Sequence, residues 1–105
     1  MKKILMLGGS HFQIPAIKYA RLAGYHVVTA DYFPNNPGHK FSNEYHNVST
    51  IDKEAVLKLA KKLDIDGVIS YASDPGSPTA AYVAEKLSLP GNPYESVKIL
   101  QRKDL

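Results

Sequence analysis

The sequence predicts an α/β domain with a parallel β-sheet that is covered by helices on both faces. Short apolar runs alternate with helix-like segments of about ten residues, and glycine- or proline-rich turns separate them. This alternation is typical of right-handed crossovers. They predict a three-layer fold, helices on both sides of a sheet of four to five strands in the order 3-2-1-4. The 105 residues suffice for one core, so we expect residues 1–105 to form one domain.

The first half of the chain predicts three strands and one helix. The predicted strand Lys3–Leu7 is continuously apolar after its first residue and stops at a glycine pair, as a buried parallel strand does. A helix is predicted over Ile14–Ala23 and a second strand over His26–Ala30, ending at an aspartate. Prolines, asparagines and a glycine make 32–44 a loop, and Tyr45–Val48 is predicted as an edge strand. The core-facing residues of the helix would be Ile14, Ile17, Ala20 and Leu22.

The second half predicts three helices and two strands. They are a helix at Lys53–Leu63, a strand at Gly67–Tyr71, a helix at Thr79–Leu87, a short strand beginning at Leu89 and a helix at Tyr94–Lys103. Ser49 or Thr50 would cap the first of these helices, with Asp52 completing a capping box. Together with the first half, these elements predict a Rossmann-like fold.

Composition excludes several classes of protein. The chain has no cysteine, which rules out disulfides and a zinc-thiolate site. The net charge is +3, but no aromatic residues interleave with the lysines, so a nucleic-acid partner is not expected. The first apolar run is too short for a signal peptide or a membrane span. We therefore expect a cytoplasmic protein with no membrane partner.

Three predicted loops should meet at one edge of the sheet. Ligands of such sheets bind beyond the carboxyl ends of the strands, where the strand order reverses. That edge would carry Gly8–Gln13, the end of the second strand, and the turn Ser73–Pro78. The candidate binding residues are Gly8, Gly9, Ser10, His11, Gln13, Asp31, Ser73 and Asp74.

The glycine loop lacks the dinucleotide fingerprint. The G-x-G-x-x-G pattern, aligned on Gly8, would need glycine at Ser10 and Gln13. The loop still offers a sharp turn before a helix, with side-chain donors suited to a small anion or a hydroxyl group. Alternatively, the glycines only turn the chain and Gln13 only caps the helix.

Asp31 has two interpretations. It follows Gly8 by 23 positions, close to the offset of about 20 residues at which an acid binds a ribose diol. An aspartate at a strand end is also a common turn former. The histidines show no metal-ligand spacing and no Ser/His/Asp arrangement is present, so neither a metal site nor a catalytic residue is predicted.

Four stretches of the chain resemble the domain that precedes the ATP-grasp fold in one group of ligases. They are Ile4-Leu-Met-Leu-Gly-Gly-Ser10 with Gln13, then Ala30-Asp31, Asp66-Gly-Val-Ile-Ser70 and Leu89–Asp104. The group includes carbamoyl-phosphate synthase large subunits, biotin carboxylases and phosphoribosylglycinamide-type ligases. The Leu-Pro-Gly segment that leads into a helix with a basic end is the most specific of these likenesses.

The resemblance implies an N-terminal substrate-side domain whose ATP-grasp domains are absent from this chain. The glycine loop would then contact a small-molecule carboxylate or amine, or the acyl-phosphate intermediate. ATP and magnesium would serve the full-length enzyme, with Lys103, or Arg102 if the register slips, reaching the ATP phosphates. We expect the domain alone to bind neither and to be inactive. Its last helix would pack on the downstream domains, with a homodimer as the alternative.

Two other classes remain as alternatives. A free-standing NAD- or nucleotide-binding module is favoured by Asp31 and opposed by the missing glycine fingerprint. A regulator with a flavodoxin-like fold would need an acidic cluster at the strand ends, where only Asp31 is well placed.

Overall fold

The computed structural model describes residues 2–70 and 77–89, which form a parallel sheet between two helical layers. The strands are β1 (Lys3–Leu7), β2 (His26–Asp31), β3 (Glu44–Asn47) and β4 (Gly67–Ile69), and the helices are α1 (Ile14–Leu22), α2 (Lys53–Leu63) and α3 (Ser77–Leu87). Short 3₁₀ turns lie at His11–Gln13 and Pro37–Lys40. The strand order is β3-β2-β1-β4 with parallel pairing throughout, which confirms the predicted order 3-2-1-4.

The larger core lies between the sheet and the helices α2 and α3. Alternate residues of each strand face it, because successive side chains of a strand point to opposite sides. Burial of each large aliphatic side chain contributes about 1.5–3 kcal/mol. The buried members of this core are Leu5, Leu7, Val28, Ala30, Val56, Leu57, Leu59, Ala60, Ile65, Val68, Ala80, Val83 and Ala84.

A smaller core lies on the opposite face of the sheet, under α1. Ile17 and Ala20 of the helix pack there on Met6 and Val27 of the strands. Leu22 does not join them and is 88% exposed. It follows Ala20 by two positions, which turns its side chain about 200° around the helix axis. The prediction that Leu22 faces the core was therefore wrong.

The cap of α2 also differs from the prediction. Asp52 is the N-cap residue, and its side-chain oxygen accepts a hydrogen bond of 3.2 Å from the Ala55 N–H. Because the helix begins at Lys53, Ser49 lies too early to cap it and instead accepts from the Ile51 N–H at 3.4 Å. The predicted box, with Asp52 in its third position, is not formed.

Other differences concern element boundaries. Strand β3 begins one residue earlier than predicted, at Glu44, and the predicted loop before it contains the 3₁₀ turn Pro37–Lys40. The predicted short strand that begins at Leu89, apart from its first residue, and the predicted helix Tyr94–Lys103 lie outside the described residues. In the described part of the chain, no helix combines the length and hydropathy that crossing a bilayer requires.

Glu44 connects the beginning of β3 to β2 through His26 and also pairs with His46 of its own strand. Its carboxylate oxygens lie 2.8 Å from His26 Nε2 and 3.1 Å from His46 Nε2. Hydrogen bonds from His26 and then His46 hold the pKa of Glu44 below its ordinary value of 4.5. The charged carboxylate is therefore the form that stabilises this edge of the sheet.

We expect Glu44→Gln to destabilise the fold at about pH 6 by less than about 1 kcal/mol, because the group is partly exposed and screened by water. A carboxyl group with a lowered pKa contributes stability above its unfolded value and loses it as the pH falls through its folded value. The difference between the parent chain and the variant should therefore shrink towards about pH 3. Urea unfolding at both pH values measures it, with Glu85→Gln on the exposed side of α3 as the control. A difference that grows in acid would contradict the role of the carboxylate.

Candidate functional site

The glycine turn after β1 is fastened to the end of β2. Gly8 has a φ of +110°, a backbone conformation that side chains disfavour. Its N–H donates to the Ala30 carbonyl oxygen at 2.8 Å, and the Gly9 N–H donates to Asp31 Oδ2 at 2.9 Å. The turn is thus positioned by hydrogen bonds to the neighbouring strand.

Ser10 and Gln13 form a capping box at the start of the next helical segment. The Ser10 N–H donates to Gln13 Oε1 at 2.8 Å, the Ser10 hydroxyl bonds the same oxygen, and Ser10 Oγ accepts from the Phe12 N–H at 3.3 Å. Gln13 is only 2% exposed. These two predicted binding residues therefore hold each other. His11 and Phe12, which lie between the two residues of the box, are exposed, and the Phe12 side chain is 66% exposed.

Asp31 joins three segments of the edge. Its Oδ2 accepts from Gly9 N–H and from Asn36 Nδ2, the latter at 2.8 Å, and its Oδ1 accepts from Phe33 N–H at 3.2 Å. The Tyr45 hydroxyl donates to the Asp31 carbonyl oxygen at 2.9 Å. With the residue 9% exposed, both carboxylate oxygens already have partners inside the protein.

Residues 32–43, which we call the strap, fold over the glycine turn. The Gly38 N–H donates to the Gly9 carbonyl oxygen at 2.6 Å. A Cβ atom on Gly38 would lie 2.4 Å from that oxygen, and one on Gly9 would lie 2.1 Å from His39 Cε1. Only glycine permits this approach, and the imidazole ring of His39 takes the space against Gly9. In the dinucleotide fingerprint aligned on Gly8, the glycine that lets the pyrophosphate approach the backbone would stand at Ser10, directly after Gly9.

The His39 ring is hydrogen-bonded at both nitrogens. Nδ1 lies 2.8 Å from Thr29 Oγ1, and Nε2 lies 3.1 Å from the Phe33 carbonyl oxygen. The ring also stacks on Tyr45 with centroids 3.9 Å apart. Burial lowers the pKa of His39 from its ordinary value, although the Phe33 carbonyl and the Asp31 charge act in the opposite direction. The neutral ring is thus the form that the seated strap favours.

The structure brings together the predicted residues at the ends of β1 and β2. Those gathered at this edge are Gly8, Gly9, Ser10, His11, Gln13 and Asp31. The predicted residues Ser73, Asp74, Arg102 and Lys103 lie outside the described part of the chain.

Sequence reasoning missed the strap residues Asn36, Gly38 and His39. Their only signal was the turn chemistry of an Asn-Pro-Gly segment, which does not indicate what the turn packs against. Within residues 2–70 and 77–89, no group of three or more histidine and carboxylate side chains could hold a metal ion.

No protein-family model and no curated protein matches the sequence, but solved structures do. Phosphoribosylglycinamide synthetase from Anaerococcus prevotii matches with a TM-score of 0.78 and 26% identity, over 88% of this chain and 24% of that one. N5-carboxyaminoimidazole ribonucleotide synthetase from Thermotoga maritima matches with a TM-score of 0.71 and 22% identity, over 96% and 28%.

The chain resembles the N-terminal domain of the ATP-grasp ligases. The structural matches confirm the resemblance to the ATP-grasp ligases that the sequence predicts. The chain spans about a quarter of the length of the two synthetases it matches, 24% and 28%.

An NAD-bound enzyme also shares the fold. WbmH from Bordetella bronchiseptica, in complex with NAD+, matches with a TM-score of 0.61 and 21% identity, over 85% of this chain and 36% of that one. At this identity the likeness concerns the arrangement of strands and helices alone. Whether this edge accepts a dinucleotide depends on its own residues: here the His39 ring lies against Gly9, and the Asp31 carboxylate accepts the Gly9 N–H.

Asp31→Ala should destabilise the fold by about 1–3 kcal/mol, because it leaves the buried Gly9 N–H and the Asn36 amide without their acceptor. Urea unfolding measures the loss, and the amide resonances of Gly9 and Gly38 should shift in the same variant. Asp66→Ala is the matched control, because its carboxylate also accepts a backbone N–H, that of Lys3 at 2.8 Å, but in an exposed position. An equal decrease in the free energy of unfolding in the two variants would contradict the role of Asp31 in holding this edge together.

Proposed function

We propose that this chain is the substrate-side N-terminal domain of an ATP-dependent ligase that joins a carboxylate to an amine or a related nucleophile. The fold match to the two synthetases supports an N-terminal domain of an ATP-dependent ligase. The observation that carries the proposal furthest is the glycine turn, held at the carboxyl edge of the sheet by Asp31. That edge is where ligands bind in open parallel sheets.

The proposed reaction has two steps. A substrate carboxylate oxygen attacks the terminal phosphorus of ATP and forms an acyl phosphate, releasing ADP. The amine then attacks the acyl carbon, loses a proton and displaces phosphate. This chain would bind and orient the substrate for these steps, and the downstream domains would supply the ATP site.

The exposed part of the glycine loop would make the substrate contacts. Gly8 and Gly9 shape the turn, while the Ser10–Gln13 pair fixes the direction of the following helix. His11 is exposed beside Phe12, with ring centroids 4.8 Å apart, so its imidazole is available to a polar substrate group. The Asp31 carboxylate lies behind the loop and would favour the hydrogen-bond donors of a substrate over its anionic end.

ATP and magnesium are assigned to the downstream domains. Lys103, or Arg102 in its place, would approach the ATP phosphates as a positive charge.

NAD binding is less well supported as an alternative. The end of β2 does carry an acid, as a ribose site would require. However, that carboxylate holds Gly9 and Asn36, and the His39 ring fills the space against the second glycine of the turn. A dinucleotide would have to displace both arrangements.

The 105-residue chain should neither hydrolyse magnesium-ATP nor bind NAD tightly. One wall of an active-site cleft can neither exclude water nor fix a triphosphate for transfer. Phosphate release with ATP and titration of tyrosine fluorescence with NAD measure the two activities. ATP turnover by the purified chain would contradict its role as one part of a ligase, and micromolar NAD affinity would favour the alternative.

In an enzyme that carries this chain and its ATP-grasp domains, His11→Ala and Lys103→Ala should each raise the KM of a different substrate. His11→Ala should raise the KM for the carboxylate or amine substrate that this domain binds about five- to tenfold, because roughly one hydrogen bond is lost. The KM for ATP should stay unchanged. Lys103→Ala should raise the KM for ATP and leave the KM for the carboxylate or amine substrate unchanged. Leu22→Ala, exposed on α1, is the control for both. If both variants altered the same KM, one of the two assignments would be wrong.

A further inference from the structure

The positive charge of this chain is concentrated in its first 43 residues. They contain five lysines and arginines but one acid, Asp31, whose carboxylate is buried and bonded to Gly9 and Asn36. The rest of the chain carries eight basic and nine acidic residues. Helix α1 and the strap, which both lie in the first part, therefore present cations to solvent with no acidic residue of their own.

Three of these basic residues adjoin Phe41 of the strap. The Lys18 ammonium lies 4.6 Å from the centroid of the Phe41 ring, and Arg21 Nη1 donates to the Phe41 carbonyl oxygen at 3.0 Å. Lys40 precedes Phe41 in the chain, and all three basic residues are exposed. Because Phe41 itself packs on the smaller core, these contacts join α1 and the strap into one surface.

The cations of this surface have no carboxylate partner among the described residues. The ion pairs formed within residues 2–70 and 77–89 join Glu44 to two histidines, and none involves Lys18, Arg21 or Lys40. Like charges that are held close together repel one another, and an acidic partner would remove this cost. Charge complementarity therefore favours a partner with carboxylates.

The same side of α1 also exposes apolar side chains. Tyr19 is 61% exposed and Leu22 is 88% exposed. Residues three or four positions apart are neighbours on a helix, so Lys18 and Tyr19 both adjoin Leu22. We call Lys18, Tyr19, Arg21, Leu22 and Lys40 the basic face. An exposed leucine among cations indicates a partner that brings apolar as well as acidic side chains.

A protein segment suits the basic face better than a second copy of the chain or a nucleic acid. A two-fold dimer through this face would bring Lys18, Arg21 and Lys40 against their own copies. Single-stranded nucleic acids stack their bases on aromatic rings, whereas the most exposed of the large apolar side chains described is that of Leu22. Tyrosine and arginine, by contrast, are enriched among the residues that dominate protein–protein interfaces.

A membrane is also less well suited to this face. A helix that lies on a membrane buries its apolar side in the lipid. The apolar side of α1, with Ile17 and Ala20, is already packed on the sheet. What α1 leaves exposed is a short ridge along its axis, against which a second helix can pack.

We propose that the basic face binds an acidic protein segment, an amphipathic helix whose carboxylates flank apolar side chains. The apolar side chains would cover Tyr19 and Leu22, and the carboxylates would pair with Lys18, Arg21 and Lys40. The proposal rests on the surface of α1 and the strap and is independent of the ligase function. It concerns the flank of the sheet that α1 covers, whereas the candidate ligand site lies at the carboxyl edge.

A designed helical peptide of about 15 residues, with glutamates on both sides of a strip of leucines, tests the proposal on the whole 105-residue chain. In an NMR titration the amide resonances of Lys18–Leu22 and Phe41 should shift, and added salt should weaken the binding. Arg21→Gln and Lys40→Gln should each lower the affinity about two- to fivefold, the effect of one exposed ion pair. The matched control is Lys58→Gln, exposed on α2 in the opposite helical layer, which should leave the affinity unchanged.

The proposal is overturned if millimolar peptide leaves these resonances unchanged, or if a peptide with glutamines in place of glutamates binds equally well. It is equally overturned if Lys58→Gln weakens the binding as much as Arg21→Gln does. Oligothymidylate, or vesicles that contain phosphatidylserine, could shift these resonances where the peptide does not, and the face would then belong to a nucleic acid or a membrane. Because Arg21 also bonds the strap, circular dichroism checks that its variant folds. If it does not, the comparison of Lys40→Gln with Lys58→Gln decides.

Discussion

The carboxylate of Asp31 is the contact on which the carboxyl edge of this domain depends. It accepts hydrogen bonds from the glycine turn after β1 and from the strap after β2. Each loop contains only a short 3₁₀ turn, so its position at the edge depends on contacts with the other loop and with Asp31. The buried Asp31 carboxylate, together with the Gly38 N–H bond to the Gly9 carbonyl oxygen, joins the two turns into one surface. Any ligand of this edge must accommodate that acceptor.

This use of Asp31 explains how the same fold serves different chemistry. An acid at the end of the second strand is placed by the fold itself, whether it receives a ribose or a backbone N–H. What differs is the loop beyond it. Here Asn36 and His39 fold back on the turn, so the acid and the second glycine both face protein atoms. Shared topology with an NAD-bound enzyme is compatible with a different occupant of this edge.

The sheet and most helices could be predicted from sequence because they depend on local patterns. Short runs rich in apolar residues define β1 and β2, and the spacing of Val56, Leu59 and Ala60 defines α2. The environment of Leu22 and the cap of α2 were predicted wrongly. The exposure of Leu22 depends on its angular position around the helix axis, and the cap depends on the residue at which α2 begins. The strap was not predictable, since Gly38 and His39 reach across the sheet edge to a residue 29 or 30 positions earlier. No local pattern encodes such a contact.

The contact between Gly9 and Gly38 also bears on the order in which the domain folds. Backbone atoms of these two residues approach closely only after β1 and β2 have paired, because each loop is positioned by the strand before it. Long-range contacts of this kind form after the local and core contacts that make them entropically accessible. We therefore expect the edge that bears the glycine turn to assemble late on the folding pathway.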